Sequence, residues 1–255
     1  MHAGAAALAL LPGGWPWALG AVAADHALIT AAGLWPRSRA LGPNVTRLPS
    51  DRPEVAITID DGPDPEVTPV VLDLLDAAGA RASFFCIAEQ ARRHPALLRE
   101  IVRRGHAVQN HSDRHRHDFS LLGPRGIAQE IERAQALLAD LSGRAPHCFR
   151  APAGLRNPFL DPVLHRLGLH LVSWTRRGFD TREADAPRVL QRLTQGLRAG
   201  DILLLHDGHA RRSAAGRPVV LDVLPALLQR CRDAGLRPVT LDEALPPRHA
   251  AAPCR

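Results

Sequence analysis

Short apolar segments alternate with amphipathic segments along most of this chain, from about residue 53 to residue 242. The apolar segments predict strands over residues 55–59, 82–87, 107–109, 147–149, 169–173, 202–205 and 237–240. Apolar residues three or four positions apart predict helices over residues 68–78, 95–104, 124–141, 159–167, 187–198 and 219–233. Such alternation is typical of parallel strands with helices outside the sheet. It predicts an α/β fold, a distorted (β/α)7-type parallel barrel.

Two of the predicted strands are followed by groups that can bind a metal ion. Asp60 and Asp61 follow the first strand, and His111 and His115 follow the third. Residues four apart share one face of a helical turn, so we expect the two imidazoles to lie together. Two His and one Asp make a three-ligand site that leaves room for water, and the second Asp is free to act as a base. This is the minimum equipment for metal-assisted hydrolysis, although a plain turn and a surface His run are simpler alternatives.

Two more strand ends carry polar side chains. Arg150 follows the fourth predicted strand, where it can hold a carboxylate, and the turn at residues 152–154 could aim a backbone N–H at an oxyanion. His206 ends a fully apolar strand and suits a general acid. Each feature alone is equally compatible with an ordinary loop. Together they favour an active site at the carboxyl ends of the strands.

These four segments resemble the motifs of polysaccharide deacetylases with a NodB-homology domain, carbohydrate esterase family 4. The family motif T-F-D-D matches residues 58–61, H-[ST]-x-x-H matches residues 111–115, R-x-P-x-G matches residues 150–154, and L-x-H matches residues 204–206. The resemblance covers about residues 53–242, in the right order and spacing, and leaves residues 1–50 outside it.

The resemblance implies a metal centre and its base. Asp61, His111 and His115 would bind one divalent ion, for which Zn²⁺ is the default and other first-row divalent metals are alternatives. Asp60 would be the general base on the attacking water, and Arg150 would orient Asp60.

The resemblance also implies groups around the substrate. His206 would protonate the leaving amine, and the backbone N–H of Ala153 would help to bind the oxyanion. Pro152 and Trp174 would lie beside the substrate. Ala153 departs from the Tyr that many members carry, which leaves the backbone contact in place.

A departure in the fourth motif concerns the partner of His206. The family pattern D-x-x-D-W aligns here with Arg177, Asp180 and Thr181, so the first Asp is replaced by Arg177. A cation near His206 would lower its pKa. We therefore expect Asp180 to take over as the acidic partner of His206, and Asp207 to point away or cap the following turn.

The resemblance implies a metal-dependent hydrolase that removes an N-acetyl or other small N-acyl group from an amino sugar in a glycan or lipid-linked saccharide. One alternative is a deformylase or other C–N hydrolase acting on a small or lipid-linked substrate. Another is an inactive glycan-binding homologue, against which the retained Asp60 and His206 argue. Aromatic residues make up only 4% of the chain, which weakens the case for a long glycan site.

Composition bears on partners and on metal chemistry. The 32 basic residues include no Lys, and Arg is scattered among 26 acidic residues, so nucleic-acid binding is not expected. The four Cys form no C-x-x-C pair. Cys86 and Cys148 fall in apolar segments and are expected to be buried free thiols rather than zinc ligands.

The first 36 residues carry one formal charge, Asp25, and three interpretations remain open. Residues 15–35 could form a membrane helix, Ala23 could end a cleaved signal peptide, or the segment could pack as an arm on the domain. Membrane association is favoured and export is second; the Arg residues at 37–52 favour a cytoplasmic catalytic domain for an anchored chain. The expected organisation is an extension at 1–50, a deacetylase domain at 51–245, and a disordered tail at 246–255.

Overall fold

The computed structural model describes residues 2–49 and 52–248. Within these ranges, the strands are β1 (Glu54–Asp60), β2 (Ser83–Cys86), β3 (Ala107–Asn110), β4 (Cys148–Phe149), β5 (His170–Leu171), β6 (Arg176–Arg177), β7 (Ile202–His206) and β8 (Arg237–Val239). The helices are α1 (His2–Ala9), α2 (Trp15–Leu34), α3 (Thr68–Ala77), α4 (Ala88–Arg93), α5 (Pro95–Arg103), α6 (Pro124–Ser142), α7 (Leu160–Leu167), α8 (Ala186–Thr194), α9 (Val220–Asp233) and α10 (Leu241–Ala244).

All strand pairings are parallel, and hydrogen-bonded neighbours follow the order β5-β4-β3-β2-β1-β7-β6, with β8 paired to the start of β1. Helices between the strands provide the crossovers that parallel pairing requires. The sheet curls into a half-barrel, and an apolar helix precedes it. The predicted α/β class, parallel barrel type and N-terminal helical extension are therefore confirmed.

The centre of the sheet is apolar on both faces. Val55, Ile57 and Ile59 of β1 belong to the core beneath the helices, while Ala56 belongs to a second core inside the curl together with Ile202. Successive strand residues point to opposite faces, so a strand covered on both sides reads as a continuous apolar run. Cys86, Cys148 and Cys231 are buried free thiols in these layers.

The sheet has one strand more than the sequence predicts within the described ranges. The additional strand β6 consists of Arg176 and Arg177, which pair with Leu203 and Leu204 of β7. Strand β6 contains no apolar residue, so no apolar run marks it in the sequence. Its pairing is set by the neighbouring strand β7. Helix α4 is also absent from the sequence prediction, because its six residues are too few to show a period.

A segment before the predicted domain start also joins the sheet. Val45 bridges to Val172 beyond β5, and Arg47 bridges to Asp201 at the start of β7. This segment thus pairs next to β5, at one edge of the sheet, and next to the start of β7, which lies one strand inside the other edge formed by β6. The boundary at residues 50 and 51, and residues 249–255 of the predicted tail, lie outside the described residues, so the division into domains stays a prediction.

The extension begins with two helices that pack on each other, α1 and α2. Helix α2 has 20 residues and is long and apolar enough to cross a membrane by length and composition. Its side chains at Trp15, Trp17, Leu19 and Leu28 are exposed, whereas its one charged residue, Asp25, is only 6% exposed. An apolar surface of this kind needs a further partner, either protein or lipid.

Candidate active site

The site is built on the loops that follow β1 and β7. Asp60 ends β1 and lies beside His206, the last residue of β7, in the register of the sheet. Two glycines let the loops touch: a Cβ on Gly208 would lie 2.7 Å from the Asp61 carbonyl oxygen, and one on Gly62 would lie 2.3 Å from Asp207 Oδ2. The sheet register and these close contacts bring the loops after β1 and β7 together.

Asp61, His111 and His115 form a compact set of potential ligands. Asp61 Oδ1 lies 3.3 Å from His111 Nε2 and 3.4 Å from His115 Nε2. One ligand atom from each residue lies within 4.8 Å of the other two. Asp61 Oδ1 is buried without a hydrogen bond, and His111 Nδ1 contacts the Arg150 carbonyl oxygen at 2.8 Å, which leaves Nε2 for a metal. An orphaned buried carboxylate oxygen facing two imidazole nitrogens fits a divalent ion.

The two histidines meet without the helical turn that the sequence predicts. Residues 111–117 form a loop, in which Ser112 and His115 have φ angles of 67° and 50°. The Ser112 N–H donates to Asn110 Oδ1 at 2.9 Å, and the His115 N–H donates to Ser112 Oγ at 3.0 Å. Short polar side chains thus take the backbone donors that a helix would use, and the loop itself brings the ring centroids to 4.8 Å.

The protonation of these groups suits metal binding. Burial, followed by the neighbouring His111, lowers the pKa of His115 to about 4. Burial raises the pKa of Asp61, but the interactions with His111 and His209 outweigh it and hold the pKa well below its usual range. At neutral pH, His115 is therefore a neutral imidazole and Asp61 a carboxylate, the forms that bind metals.

Arg150 holds Asp60 in a fixed position. The guanidinium is 1% exposed and donates from Nη1 to Asp60 Oδ1 at 2.6 Å and to Thr58 Oγ1 at 2.9 Å. Its Nε and Nη2 donate to the carbonyl oxygens of Val172 and Ser173. This interior cation makes four hydrogen bonds, which fix one oxygen of the Asp60 carboxylate and leave the other for chemistry.

His206 is paired with Asp180. Its Nδ1 lies 2.9 Å from Asp180 Oδ1, and its backbone N–H donates to Asp180 Oδ2 at 2.7 Å. Burial lowers the pKa of His206, but the charge and hydrogen bond of Asp180 outweigh it and raise the pKa to about 9. Asp207 contacts different groups: its Oδ1 accepts the Gly208 N–H and its Oδ2 accepts the Thr68 hydroxyl, while burial raises its pKa to about 7. The contact predicted between Asp180 and His206 is thus present.

A cavity of about 260 Å³ connects these groups. Trp174 lines it, and Ala153 lines it with a left-handed φ of 54° in a 3-10 turn. Pro152 is buried in the same turn and is not among the described residues that line the cavity. The lining residues are Asp60, Asp61, His111, His115, His117, Ala151, Ala153, Gly154, Trp174, Arg177, Thr181, Arg182, Leu204, His206 and His209.

Sequence reasoning assigned no role to His209, which the structure places beside Asp61 of the potential ligand set. His209 Nδ1 lies 3.3 Å from Asp61 Oδ2, the oxygen that does not face His111 and His115. The only signal in the sequence is its position three residues after His206. Its approach to Asp61 depends on the left-handed φ of 58° at His209, which no motif predicts.

The sequence matches establish the family. Residues 47–172 match the model described as polysaccharide deacetylase. The chain is 35% identical over 166 residues to a chitooligosaccharide deacetylase of Azorhizobium caulinodans, covering 64% of this chain and 77% of that protein. It is 30% identical over 204 residues to a peptidoglycan-N-acetylglucosamine deacetylase of Bacillus cereus, covering 79% and 92%. The chain therefore belongs to the polysaccharide deacetylase family.

Solved structures agree in fold. A family 4 carbohydrate esterase from Streptomyces lividans, in complex with acetate, superposes with a TM-score of 0.68 at 30% identity and covers 78% of this chain and 98% of that one. A CE4 family pseudoenzyme from Bacillus anthracis has a TM-score of 0.71 at 18% identity, covering 79% and 68%. Since a pseudoenzyme shares the fold, an argument for activity must come from the site.

Proposed function

We propose that this protein is a metal-dependent N-deacetylase that removes an acetyl or other small acyl group from an amino sugar of a glycan or lipid-linked saccharide. One observation carries the proposal, which is that a base, a ligand set and an acid share one cavity. Asp60, held by Arg150, lies next to Asp61, whose Oδ1 has no hydrogen bond. His206, paired with Asp180, lines the same cavity. A protein that only binds glycans would need neither the base nor the acid. Amino-sugar deacetylases among the relatives support the substrate class.

The side chains divide the reaction between them. When bound, a divalent ion supplies Lewis-acid polarisation of the acyl carbonyl and activates water as the nucleophile. Asp60 accepts the proton from the attacking water, with one oxygen held by Arg150. His206 is protonated below its pKa of about 9 and donates its proton to the departing nitrogen as the C–N bond breaks. The backbone N–H of Ala153 would face the developing oxyanion. The products are a carboxylate and a free amine.

Zn²⁺ is the metal that we propose for the site. Two imidazole nitrogens and one carboxylate oxygen, with a position left open, are the donor set that zinc prefers in hydrolases. Other first-row divalent ions accept the same donors, so cellular supply can also decide which ion is bound.

Metal content gives a direct test of the ligand set. We expect purified protein to bind about one divalent ion per chain, and His111→Ala or His115→Ala to bind far less, since each substitution removes one of three ligands. Metal analysis after dialysis against stoichiometric Zn²⁺ measures occupancy without any assay of turnover.

His117→Ala is the matched control. His117 lines the same cavity two residues from His115 but is not part of the ligand set. It should keep the ion. Full occupancy in both His111→Ala and His115→Ala would show that the ligands are other residues.

We also propose that residues 1–36 attach the protein to a membrane. The apolar side chains of α2 are exposed along its length while Asp25 is buried, so an inserted helix would not present that charge to lipid. The end of α2 is close to the active site: the Arg156 N–H donates to the Gly33 carbonyl oxygen at 3.2 Å, and a Cβ on Gly154 would lie 2.8 Å from Pro36. A membrane at α2 would therefore adjoin the cavity, which suits a lipid-linked saccharide.

Fractionation of native host cells tests the attachment. We expect the protein to stay with membranes after an alkaline carbonate wash and to be released by detergent, because a 20-residue apolar helix resists aqueous extraction. N-terminal sequencing of the same sample is the decisive control. A mature chain that begins at residue 24 would show cleavage and export instead of anchoring.

A further inference from the structure

The guanidinium of Arg177 lines the cavity and forms no ion pair with a carboxylate of the described residues. Its guanidinium carbon lies 5.2 Å from the centre of the Trp174 ring and 5.0 Å from that of Phe179. Its Nε is buried without a hydrogen bond, and no carboxylate of residues 2–49 or 52–248 forms an ion pair with it. The two rings hold the guanidinium in place and leave its donors unused.

Two other arginines use their N–H donors in hydrogen bonds, unlike Arg177. The neighbouring Arg176 donates from Nε to Asp201 at 2.6 Å and from both Nη atoms to backbone carbonyl oxygens. Arg150 uses all three of its nitrogens. Arg177 is only partly buried, but its Nε is buried and unpaired, and a buried donor is costly unless a partner completes it. The open donors of Arg177 therefore point to a ligand.

The unpaired positive charge continues along one side of the cavity. Arg182 also lines the cavity, and Arg211 lines an adjoining recess of about 440 Å³ that shares Thr181 and His209 with it. In the part of the chain that the structure describes, the side chains of Arg182 and Arg211 make neither a salt bridge nor a hydrogen bond. We use the name arginine edge for these three residues, Arg177, Arg182 and Arg211.

Each catalytic carboxylate has its own ionic partner and forms no ion pair with the arginine edge, although Asp60, Asp180 and Asp61 attract Arg177 at longer range. Asp60 is already paired with Arg150, and Asp180 with His206. Asp61 faces the two histidines of the metal set. The cations of the edge are therefore available to a group that enters with the substrate.

We propose that the arginine edge is a subsite for an anionic group of the substrate, a carboxylate or a phosphate, carried next to the amino sugar that loses its acyl group. This proposal rests on the proposed deacetylase function and specifies, in addition, that the substrate carries a negative charge. Guanidinium groups bind both anions through paired N–H donors. A neutral oligosaccharide that covers Arg177 would leave its N–H donors without an anionic partner in the complex, which costs affinity.

Three substrates with the same N-acetylglucosamine unit test the subsite in the metal-loaded, full-length protein. They are a neutral N-acetylglucosamine tetramer, an alternating tetramer with carboxylate-bearing N-acetylmuramic acid, and a neutral tetramer that ends in a 1-phosphate. We expect kcat/KM to be at least roughly tenfold higher for one of the anionic substrates than for the neutral one, and this preference to shrink with added salt. Which anionic substrate is preferred identifies the source of the charge.

Substitutions at Arg177 connect the preference to the arginine edge. Arg177→Gln should reduce the anionic-to-neutral ratio of kcat/KM by roughly tenfold, whereas Arg177→Lys, which keeps the charge, should retain part of it. Arg198→Gln is the matched control, because Arg198 is an exposed arginine before β7, at the opposite end of the strand from His206. It should leave the ratio unchanged.

The outcomes separate the two proposals. Equal kcat/KM for neutral and anionic substrates in the unmodified protein, or an equal loss on both in Arg177→Gln, would overturn the anionic subsite while leaving the deacetylase function intact. Absence of acetate release from every substrate by metal-loaded protein would overturn the deacetylase function and the subsite with it.

Discussion

Asp60→Asn should reduce kcat by about 10²- to 10⁴-fold while the protein keeps its metal ion, because the substitution removes the base and no ligand. The side chain keeps its size, and the amide oxygen can still accept the hydrogen bond that Arg150 donates at 2.6 Å. We therefore expect the fold to persist. Acetate release and metal content measured on the same sample report the two roles separately.

Asp61→Asn should show the opposite pattern, with metal and activity lost together. Asp61 has a φ of 78°, a left-handed conformation that Asn tolerates as well as Asp does, so backbone strain does not confuse the comparison. What changes is the charge on the oxygen that faces both histidines. Supplying excess Zn²⁺ should restore part of the activity of Asp61→Asn and none of that of Asp60→Asn.

Asp201→Asn provides a buried control at the other end of the strands. Asp201 pairs with Arg47 and Arg176 and is fully buried, so its loss should lower stability without specifically affecting turnover. Turnover is therefore compared per folded molecule. Equal metal loss in Asp60→Asn and Asp61→Asn would mean that the two carboxylates act jointly as ligands.

The strand ends could be predicted from the sequence because a buried parallel strand is a continuous apolar run. The run that ends at Asp60 and the run that ends at His206 each mark the last strand residue clearly. Adjacent parallel strands then bring such ends to one edge, and the register confirms that Asp60 and His206 lie side by side. The apolar pattern was enough to place Asp60 and His206 at the same edge of the sheet, whereas their direct proximity comes from the pairing of β1 with β7, which that pattern does not predict.

Features that depend on loops and side-chain pairing could not be predicted in the same way. The segment at 111–117 has the spacing of a helical turn, but Ser112 and Asn110 supply hydrogen bonds that favour a loop. Arg177 aligns with an Asp that pairs with the catalytic His in the family motif, yet its guanidinium stacks on Trp174 and Phe179. Such outcomes depend on contacts between distant residues, which a linear pattern does not contain.

Asp180→Asn should lower turnover by about 10²- to 10⁴-fold and move the alkaline limb of the pH–rate profile toward neutral pH. In the proposed mechanism, His206 donates a proton and is protonated below its pKa of about 9, so activity should fall as the pH rises through that value. Without the Asp180 carboxylate, only the charges of Asp61 and Asp60 still oppose burial, so the pKa of His206 should fall from about 9 toward the ordinary value of 6.5. The variant should therefore lose the acid form of His206 at a pH where the unmodified protein is still active.

The pairing of Asp180 with His206 also contributes to the stability of the fold. Its dependence on pH follows from the raised pKa of His206. Because the pKa of His206 is raised on folding, the contribution is fully present below about pH 6.5 and is lost as the pH rises through about 9. Asp207→Asn is the control. Asp207 follows His206 in the chain and is buried like Asp180, but its carboxylate accepts hydrogen bonds from Thr68 and Gly208 instead of contacting the His206 ring. It should leave the alkaline limb in place. An alkaline limb that does not move in Asp180→Asn would mean that His206 is not the proton donor, or that another group sets its charge.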